Sequence, residues 1–408
     1  MAYILIYILF AIYYNIKVMM DKLTLIIICH FGLEKVLKSE VRKLGLELLE
    51  GTDGEVRAAG TFFDIPRLNF NLRTAERVMI EVANFKAQTF DELYENVKKI
   101  DLAKYIPVDG AFLITKANQD KNSILHSSTS IQSIVKKAMV DNLKDKYKTS
   151  VLTETRGKYP FRVKFNKNIC SIRLDTTGDS LHKRGYRIKA GLAPIEETLA
   201  AALIKLTPFN KDKILIDPFC GSGTIPIEAA MIACNIPPSI DRAFVSETWD
   251  IIEKNDWKKA HEEANSKIDK ERFNSKDIKI FGFDIDPNMI KIAKENAKRA
   301  DVEHLIHFET CPVKDFYKLD CMKNIDSGII LSNPPYGERL EDKDAIIPIY
   351  EDLRNSYKSL IDSGKDFDMN IITSFGDTTK IIGKESKNRK LYNGMIKTYL
   401  YSYLSSNQ

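Results

Sequence analysis

The spacing of apolar residues changes near residue 191 and divides the chain into two parts. In the first part, LTLIIICH predicts a buried strand, and FGLEKVLKSEVRKLG has the helical spacing of apolar residues that ends at Gly45. AFLITKAN and VLTETRGKYPFRVKFNKNICSIRLD predict strands, and the basic amphipathic run SIQSIVKKAMVDNLKDKY between them predicts a helix. This mixture favours an α+β region with antiparallel pairing.

In the second part, continuous apolar strands alternate with helical segments. The predicted strands are KILIDPF, KIFGFDID, HLIHFET, SGIILSNPP, FDMNIITSF and IKTYLYSYL, and the helices include Ile227–Ala233, PNMIKIAKENAKRA and a segment near 347–361. Such alternation predicts a doubly wound, largely parallel α/β sheet. Ligands of these sheets bind beyond the carboxyl ends of the strands, so we expect the functional residues there.

Length and charge indicate the number of domains and the kind of partner. A chain of 408 residues is too long for one ordinary core and predicts two or three domains. The net charge is only +5, but residues 136–190 hold fifteen Lys/Arg and five Asp/Glu. This concentration indicates either a polyanion partner or a solvated basic face, and composition alone does not choose between them.

Cysteine, histidine and the N-terminus give further expectations. Six scattered cysteines, none in a CxxC pair, are typical of reduced thiols in a cytoplasmic protein, and the six histidines show no metal-ligand spacing, so we expect no metal. The first sixteen residues carry no charged side chain, but they are short for a membrane span and lack a signal peptide's basic region. We expect residues 1–19 to be a dispensable extension rather than an anchor, and we expect no membrane partner.

A glycine-rich turn follows the first strand of the second part, in DPFCGSGTIPIEAA. Asp217 ends the strand, Gly221 and Gly223 form the turn, and a helix begins near Thr224 or Ile225. The turn lacks the lysine of a Walker loop and the GxGxxG spacing of a dinucleotide site. The acid before the turn disfavours a phosphate but suits a cationic ligand group.

The next strand ends in GFDIDP, which contains two acids with different expected roles. Asp286 precedes Pro287 and fits the N-cap of a helix. Asp284 has no capping role, and an acid at this place can accept the hydroxyls of a ribose. Turn and acid together favour S-adenosylmethionine over NAD or ATP as the cofactor.

The stretch LSNPPYGERL ends a third apolar strand abruptly. Pro334 and Pro335 have no N–H and cannot continue a central strand. The stop is either loop geometry or a rigid clamp that presents the polar atoms of Asn333 to a ligand beside the ring of Tyr336.

These motifs resemble the class I S-adenosylmethionine-dependent methyltransferases that act on exocyclic amines. LDTTGDSLHKRGYRIKAGLAPIEETLAAALI and RKLYNGMIKTYLYSYL look more narrowly like the THUMP-domain RNA methyltransferases that modify guanine N2 in large-subunit ribosomal RNA. Beyond the expected extension at residues 1–19, the resemblance implies a ferredoxin-like segment at 20–70, a THUMP domain at 71–175, a basic linker at 176–193, and a Rossmann-like seven-stranded methyltransferase domain at 194–408. It also implies that the last strand is antiparallel.

The resemblance also implies site residues. Expected to bind the cofactor are Pro194, Asp217, Phe219, Gly221, Gly223, Thr224, Asp284 and Asp315. Expected to bind RNA are Lys183, Arg184, Arg187, Lys136 and Lys137. Pro312 stands where the family usually has an acid that binds adenine. The tryptophans Trp249 and Trp257 are expected to pack in a helical insertion.

The expected chemistry rests on the tetrapeptide Asn333-Pro334-Pro335-Tyr336. The Asn333 side-chain oxygen and the Pro334 carbonyl would each accept one hydrogen of a guanine N2 amine, and Tyr336 would stack on the extruded base. Either Glu338 or bulk water would take the proton. Three alternatives stay open: a tRNA guanine-N2 enzyme, a DNA adenine-N6 enzyme, and a non-catalytic RNA-binding assembly factor.

Overall fold

The computed structural model describes residues 22–187, 195–336 and 343–405. The chain forms two compact units. The first comprises the residues up to Cys29, Lys38–Leu181 and Asp241–Glu263, and the second comprises His30–Leu37, His182–Ile240 and Ala264–Gln408.

The described strands and helices are numbered in chain order. The strands are β1 (Leu23–Ile28), β2 (Glu47–Leu49), β3 (Glu55–Gly60), β4 (Arg77–Lys86), β5 (Gly110–Gln119), β6 (Arg156–Asn166), β7 (Ile169–Asp175), β8 (Leu215–Asp217), β9 (Ile280–Asp284), β10 (Ile306–Thr310), β11 (Ser327–Ser332), β12 (Asp366–Thr373), β13 (Lys387–Asn393) and β14 (Ile396–Tyr403). The helices are α1 (Glu34–Lys43), α2 (Asp64–Asn71), α3 (Phe90–Lys98), α4 (Ser128–Tyr147), α5 (Glu197–Leu206), α6 (Thr224–Ala233), α7 (Lys254–Ser266), α8 (Lys270–Phe273), α9 (Pro287–Arg299), α10 (Lys343–Asp362) and α11 (Thr378–Ile382).

The first unit is built on a seven-stranded sheet in the order β2-β3-β1-β4-β7-β6-β5. Its neighbouring strands run antiparallel except β5 and β6, which run parallel. Parallel neighbours need a crossover connection, and helix α4 provides it between β5 and β6. The α+β region expected from the sequence is confirmed.

Helix α4 begins two residues before the predicted segment. The Ser127 side chain accepts a hydrogen bond from the Ser130 N–H, which caps the helix. The buried residues of α4 recur at helical spacing and are Ile131, Val135, Ala138, Met139 and Leu143.

The segment Asp241–Glu263 belongs to the first unit, although the sequence placed it inside the methyltransferase domain. Aromatic packing explains this. Trp249 stacks on Tyr159 with ring centroids 5.0 Å apart, and its indole N–H donates to the Lys158 carbonyl at 2.8 Å. Trp257 meets Phe70 of α2 edge-on with ring centroids 5.6 Å apart and stacks on Phe244 at 5.5 Å. Both tryptophans therefore pack as predicted, but in the first unit.

The second unit is built on a seven-stranded sheet in the order β10-β9-β8-β11-β12-β14-β13. Strands β8 to β12 pair in parallel, and β14 runs antiparallel to both β12 and β13. Adjacent residues of β8 enter different cores. Leu215 packs with α5, α6 and α9 on one face of the sheet, and Ile216 packs with α10 on the other. This confirms the doubly wound sheet and its antiparallel last strand.

The order of this sheet reverses at β8, because the chain adds β9 and β10 on one side of it and β11 and β12 on the other. Asp217 ends β8, Asp284 ends β9 and Ser332 ends β11. In parallel sheets such a reversal opens a crevice beyond the carboxyl ends of the strands. The residues singled out in the sequence therefore meet at one edge.

Two further findings concern cysteines and membranes. Within the part of the chain that the structure describes, none of the six cysteines forms a disulfide bond. No helix among the described residues combines the length and the apolar character needed to cross a bilayer. Residues 1–19, the expected extension, lie outside the described residues.

Candidate active site

The turn after β8 has the backbone conformation that its glycines predict. Gly221 and Gly223 both have positive φ, +51° and +85°. A Cβ added at Gly223 would lie 3.0 Å from the Ala293 Cβ of α9, so no side chain fits without a shift of the helix. Helix α6 begins at Thr224 as predicted, with its first N–H groups free of intrahelical partners.

Asp284 fixes this turn from the neighbouring strand. The Gly221 N–H donates to Asp284 Oδ2 at 2.9 Å, and the Asp286 N–H donates to Asp284 Oδ1 at 3.0 Å. Burial raises the pKa of the Asp284 carboxyl, although these hydrogen bonds oppose the shift. Asp286 accepts from the Asn288 N–H at 2.8 Å, so its predicted role as the N-cap of α9 is confirmed.

Asp217 joins the ends of β8 and β11. Its carboxyl is buried, the Ser332 hydroxyl donates to Oδ1, and the Phe219 N–H donates to the same oxygen at 3.1 Å. Burial raises the pKa of Asp217 to about 7, against the lowering effect of the two hydrogen bonds. A cationic ligand group at this position would therefore compensate a carboxylate that is costly to ionise.

Asn296 supports the same turn, and nothing in the local sequence pattern identified it. Its side-chain amide donates to the Ser222 carbonyl at 3.0 Å from inside helix α9, where it is buried. Helical spacing could show only that position 296 faces the core.

The tetrapeptide after β11 is folded on itself. The Tyr336 hydroxyl donates a hydrogen bond to the Asn333 side-chain oxygen, and Tyr336 is only 8% exposed. Pro334 is buried and Pro335 is exposed. In this arrangement the expected acceptor of the target amine already has a partner, and the expected stacking ring is covered. Binding of a base as predicted requires Tyr336 to leave this position.

A buried tyrosine of α10 forms a hydrogen bond with the same segment. The Tyr350 hydroxyl donates to the Pro335 carbonyl at 3.3 Å and lies 2.7 Å from the Thr373 hydroxyl. The Phe375 N–H donates to that threonine oxygen at 3.0 Å. This chain of hydrogen bonds connects the tetrapeptide to the end of β12. No sequence pattern predicted it, since Tyr350 is one of many apolar positions on its helix.

The segment after β10 contains the departure from the family pattern. The Cys311 N–H donates to the Asp284 carbonyl at 2.9 Å, which places Pro312 directly beyond the ribose-binding candidate. Asp315 pairs with Lys318 at 2.7 Å, and this hydrogen bond lowers the pKa of the Asp315 carboxyl. A contact of Asp315 with the cofactor stays a prediction.

Two arginines expected to bind RNA instead make contacts inside the second unit. Arg184 is buried, and its Nε lies 3.4 Å from Glu228 Oε1. These contacts do not favour the predicted contact of Arg184 with RNA, because a buried guanidinium paired with a buried carboxylate is not presented to a polyanion. Arg187 donates to the Thr224 hydroxyl at 2.8 Å and pairs with Glu197 at 3.1 Å. Its guanidinium therefore contacts the start of α6 beside the glycine turn.

The other predicted RNA ligands have different surroundings. Lys183 is exposed. Lys136 lies 3.5 Å from the centroid of the Phe112 ring and pairs with Glu154 at 2.7 Å, and the Lys137 ammonium lies 5.7 Å from the centroid of Tyr94. Their contacts with RNA stay predictions. Pro194 and Glu338 lie outside the described residues.

Among the described residues of the second unit, a cluster of metal-ligand type occurs that the histidine spacing did not predict. The ligand atoms of His307, Glu309 and Cys321 lie within 4.8 Å of one another. His307 and Glu309 share one face of β10, and their side chains are joined at 2.8 Å.

Three stretches of the chain match family models. Residues 184–402 match the RMKL-like methyltransferase domain, residues 24–79 match the RlmL ferredoxin-like domain, and residues 87–175 match the THUMP domain. The first match alone covers more than half of the chain.

Individual relatives agree with these matches. A Bacillus subtilis (strain 168) protein described as a candidate RNA methyltransferase, YpsC, is 42% identical over 389 residues, which are 95% of this chain and 97% of that protein. The ribosomal RNA large subunit methyltransferase K/L of Aliivibrio fischeri (strain ATCC 700601 / ES114) is 34% identical over 342 residues, or 81% of this chain and 46% of that protein. The chain thus spans about half the length of this K/L relative.

A solved structure resembles the chain over almost its whole length. SMU.472, described as a candidate methyltransferase complexed with SAH, has a TM-score of 0.85 and 35% sequence identity, and the match covers 94% of this chain and 98% of that chain.

Proposed function

Because the chain belongs to the family of RMKL-like methyltransferases that carry an RlmL ferredoxin-like domain and a THUMP domain, we propose that it methylates RNA. The methyl donor is S-adenosylmethionine. The acceptor is the exocyclic N2 amine of a guanine, and the substrate is 23S ribosomal RNA. Membership of this family confirms the resemblance inferred from the sequence motifs.

One arrangement carries the proposal. Three polar side chains lie at the carboxyl ends of adjacent parallel strands: Asp284 ends β9, Asp217 ends β8 and Asn333 follows β11. The two aspartates lie at a glycine turn that suits a cofactor, and Asn333 carries the amide proposed to bind the amine. A cofactor site and an amine-binding tetrapeptide thus share one crevice.

The residues at this edge fit the proposed cofactor. A Cβ added at Gly221 meets no atom within 4 Å, so space lies open beside the turn. Each Asp284 oxygen accepts one backbone hydrogen bond and retains a lone pair for a ribose hydroxyl. The buried Asp217 carboxyl suits the ammonium group of the methionine end. When bound, S-adenosylmethionine supplies a methyl group activated by the positive charge on sulfur.

The tetrapeptide supplies acceptors for the amine rather than a strong base. The Asn333 side-chain oxygen and the Pro334 carbonyl each accept one N–H of the amine, which directs the nitrogen lone pair toward the methyl group. A bond forms between nitrogen and the methyl carbon while the bond from carbon to sulfur breaks. The methylated nitrogen then releases one proton to solvent. The ring of Tyr336 must first leave its buried position, and it can then stack on the base.

RNA is the substrate that the remaining observations favour. The first unit matches the THUMP domain model, and residues 136–190 are strongly basic. YpsC is described as a candidate RNA methyltransferase, and the K/L relative is named for large-subunit ribosomal RNA. Lys136, Lys137 and Lys183 remain proposed contacts to this RNA.

The test is methyl transfer from S-adenosylmethionine labelled in its methyl group to total bacterial RNA, followed by nucleoside analysis. The RNA should come from a strain that lacks its own member of this family, so that the target nucleotide is unmodified. We expect label in N2-methylguanosine of 23S RNA. Label in N2-methylguanosine of tRNA would replace the substrate, and label in N6-methyladenine rather than N2-methylguanosine would overturn the acceptor.

Cofactor binding separates the enzyme from a non-catalytic assembly factor. Calorimetry with S-adenosylhomocysteine should show binding to one site per chain. Absence of binding would contradict an enzymatic role, whatever RNA the protein binds.

A further inference from the structure

The last two strands carry a group of aromatic and cationic side chains on one face. In the antiparallel pair β13–β14, Lys390 lies opposite Tyr399, and Tyr392 lies opposite Lys397. Opposed residues share a face, and so do residues two apart on one strand. These four side chains therefore form a square on the sheet surface, which we call the hairpin platform.

The opposite face of the same hairpin is core. Leu391, Thr398 and Leu400 alternate with the platform residues and are buried. Lys390 and Lys397 are exposed, whereas Tyr392 and Tyr399 are half-buried. The hairpin is thus packed against the core through one face, and the platform lies on its other face.

The platform combines rings with positive charge. The Lys390 ammonium lies 5.5 Å from the centroid of Tyr392, and the Lys397 ammonium lies 5.1 Å from the centroid of Tyr399. The ring of Phe31, which is 45% exposed, meets Tyr392 edge-on with centroids 6.0 Å apart. A row of flat rings therefore extends beyond the hairpin itself.

The charge of this segment is one-sided. Between residues 384 and 403 the basic residues are Lys384, Lys387, Arg389, Lys390 and Lys397, and the single acid is Glu385. The Glu385 carboxylate accepts a hydrogen bond from Asn388 at 2.6 Å. A net positive hairpin with exposed ammonium groups complements a polyanion.

The platform lies close to the carboxyl ends of the parallel strands, where the candidate active site is. Tyr399 pairs with Thr373, the last residue of β12. Because β14 runs antiparallel to β12, the residues before Tyr399 project past the carboxyl edge of the parallel strands. Strand β11, which leads to Asn333, is two positions away from β14, a distance of about 10 Å at the usual strand spacing.

We propose that the hairpin platform binds a single-stranded segment of RNA next to the target nucleotide. The inference rests on the proposed function and identifies a second contact surface for the same substrate. Aromatic rings stack on bases of any sequence, and ammonium groups beside them neutralise the phosphates. A base extruded into the active site must leave its helix, so the nucleotides beside it are available for stacking.

The same pairs could serve only to stabilise the hairpin, since cross-strand and cation–π contacts do so in many sheets. The test must therefore separate RNA binding from folding. Lys390→Met/Lys397→Met removes the charges and keeps the aliphatic stems. Lys213→Met/Lys276→Met is its matched control, because both lysines are exposed and precede β8 and β9 at the opposite edge of the sheet.

The measurement is the affinity of the full chain for a twelve-nucleotide oligouridylate across a salt series, by fluorescence anisotropy. The platform double variant should lower the slope of log affinity against log salt by about 1.4, since each phosphate contact to a single strand contributes about 0.7. The control double variant should keep the slope of the wild type. Unchanged slopes in both would overturn the proposal.

The rings are tested by a second pair of variants. Tyr392→Leu/Tyr399→Leu should weaken oligouridylate binding by about tenfold or more, and Tyr392→Phe/Tyr399→Phe should bind like the wild type, because phenylalanine keeps the stacking face. Equal binding by the leucine and phenylalanine variants would contradict stacking. Tighter wild-type binding to a twelve-base-pair RNA duplex than to the oligouridylate would also overturn the assignment.

Failure of the platform can be told from failure of the proposed function. If the wild type methylates ribosomal RNA and the platform variants keep its RNA KM, only the platform is wrong. If the wild type methylates no RNA, the proposed function is wrong, and the oligouridylate measurements still decide whether the platform binds single strands.

Discussion

The Tyr336 hydroxyl donates a hydrogen bond to the Asn333 side-chain oxygen, the atom proposed to accept a hydrogen of the target amine. The phenol therefore engages one lone pair of the proposed acceptor, and its ring is only 8% exposed. Stacking of a base on this ring requires the ring to turn outward, which breaks the hydrogen bond.

Replacement of Tyr336 by phenylalanine removes the competing donor and keeps the ring. We expect Tyr336→Phe to hold kcat within a few-fold of the wild type, with no rise in the RNA KM. Tyr336→Ala, which loses the stacking face, should lower kcat/KM by at least tenfold. Steady-state methyl transfer to RNA measures both. A phenylalanine variant as impaired as the alanine variant would mean that the hydroxyl itself takes part in the reaction.

We expect the glycine turn to require glycine at position 223. Its φ of +85° costs other residues about 1–2 kcal/mol, and a Cβ would press against Ala293. Gly364 offers a matched control, because its φ is +80° and a Cβ there meets nothing within 4 Å. Denaturant unfolding should show a loss of about 1 kcal/mol for Gly364→Ala and a larger loss for Gly223→Ala. Only Gly223→Ala should weaken binding of S-adenosylhomocysteine, and equal stability losses would show that the contact with Ala293 carries no cost.

The buried Asp217 predicts a pH dependence of stability. Burial raises the pKa of its carboxyl to about 7 in the folded state from an ordinary value of 3.8. Between those pH values the folded state binds more protons than the unfolded state, so the free energy of unfolding falls as pH rises through that window and is level above it. A shift of this size corresponds to a loss on the order of 4 kcal/mol.

Asp217→Asn should remove this contribution and leave that of every other carboxyl. Denaturant unfolding of both proteins from pH 4 to pH 8 provides the measurement. We expect the stability of the wild type to fall relative to the variant up to about pH 7. Parallel curves would contradict a raised pKa at Asp217.

Arg184 should contribute to stability rather than to RNA binding. Loss of one partner of its buried pair with Glu228 leaves an uncompensated charge, so Arg184→Met should lower the free energy of unfolding by about 3–5 kcal/mol. The exposed neighbour Lys183 is the control. Lys183→Met should leave stability within about 0.5 kcal/mol and reduce the salt dependence of RNA binding. Normal stability of Arg184→Met would restore the view that this arginine faces the RNA.

The sequence predicted the glycine turn, the helix cap and the strand ends of the candidate site well, because these features are determined locally. A turn that needs glycine at 221 and 223, a cap at Asp286 and a strand stopped by Pro334 are all determined within a few residues of the chain. Each motif directly follows an apolar strand, and the parallel topology then brings the strand ends together without further information.

What the sequence did not show depends on contacts distant along the chain. The sequence around Arg184 and Arg187 predicted a basic linker. In the structure, Arg184 pairs with Glu228 and Arg187 donates a hydrogen bond to Thr224, and both partners lie about forty residues later in the chain. Strand β13 begins with four exposed polar residues and has no apolar alternation there, so its pairing with β14 defines it. Likewise, Tyr350 reaches Pro335 only through the packing of α10.

The most direct test of the proposed mechanism compares the activity of Asn333→Ala with its affinity for the cofactor product. If the Asn333 oxygen orients the amine, single-turnover methyl transfer to RNA should fall below detection while the Kd for S-adenosylhomocysteine stays within about twofold of the wild type, because the glycine turn and Asp284 are untouched. Methyl transfer at the rate of the wild type in this variant would contradict the proposed mechanism.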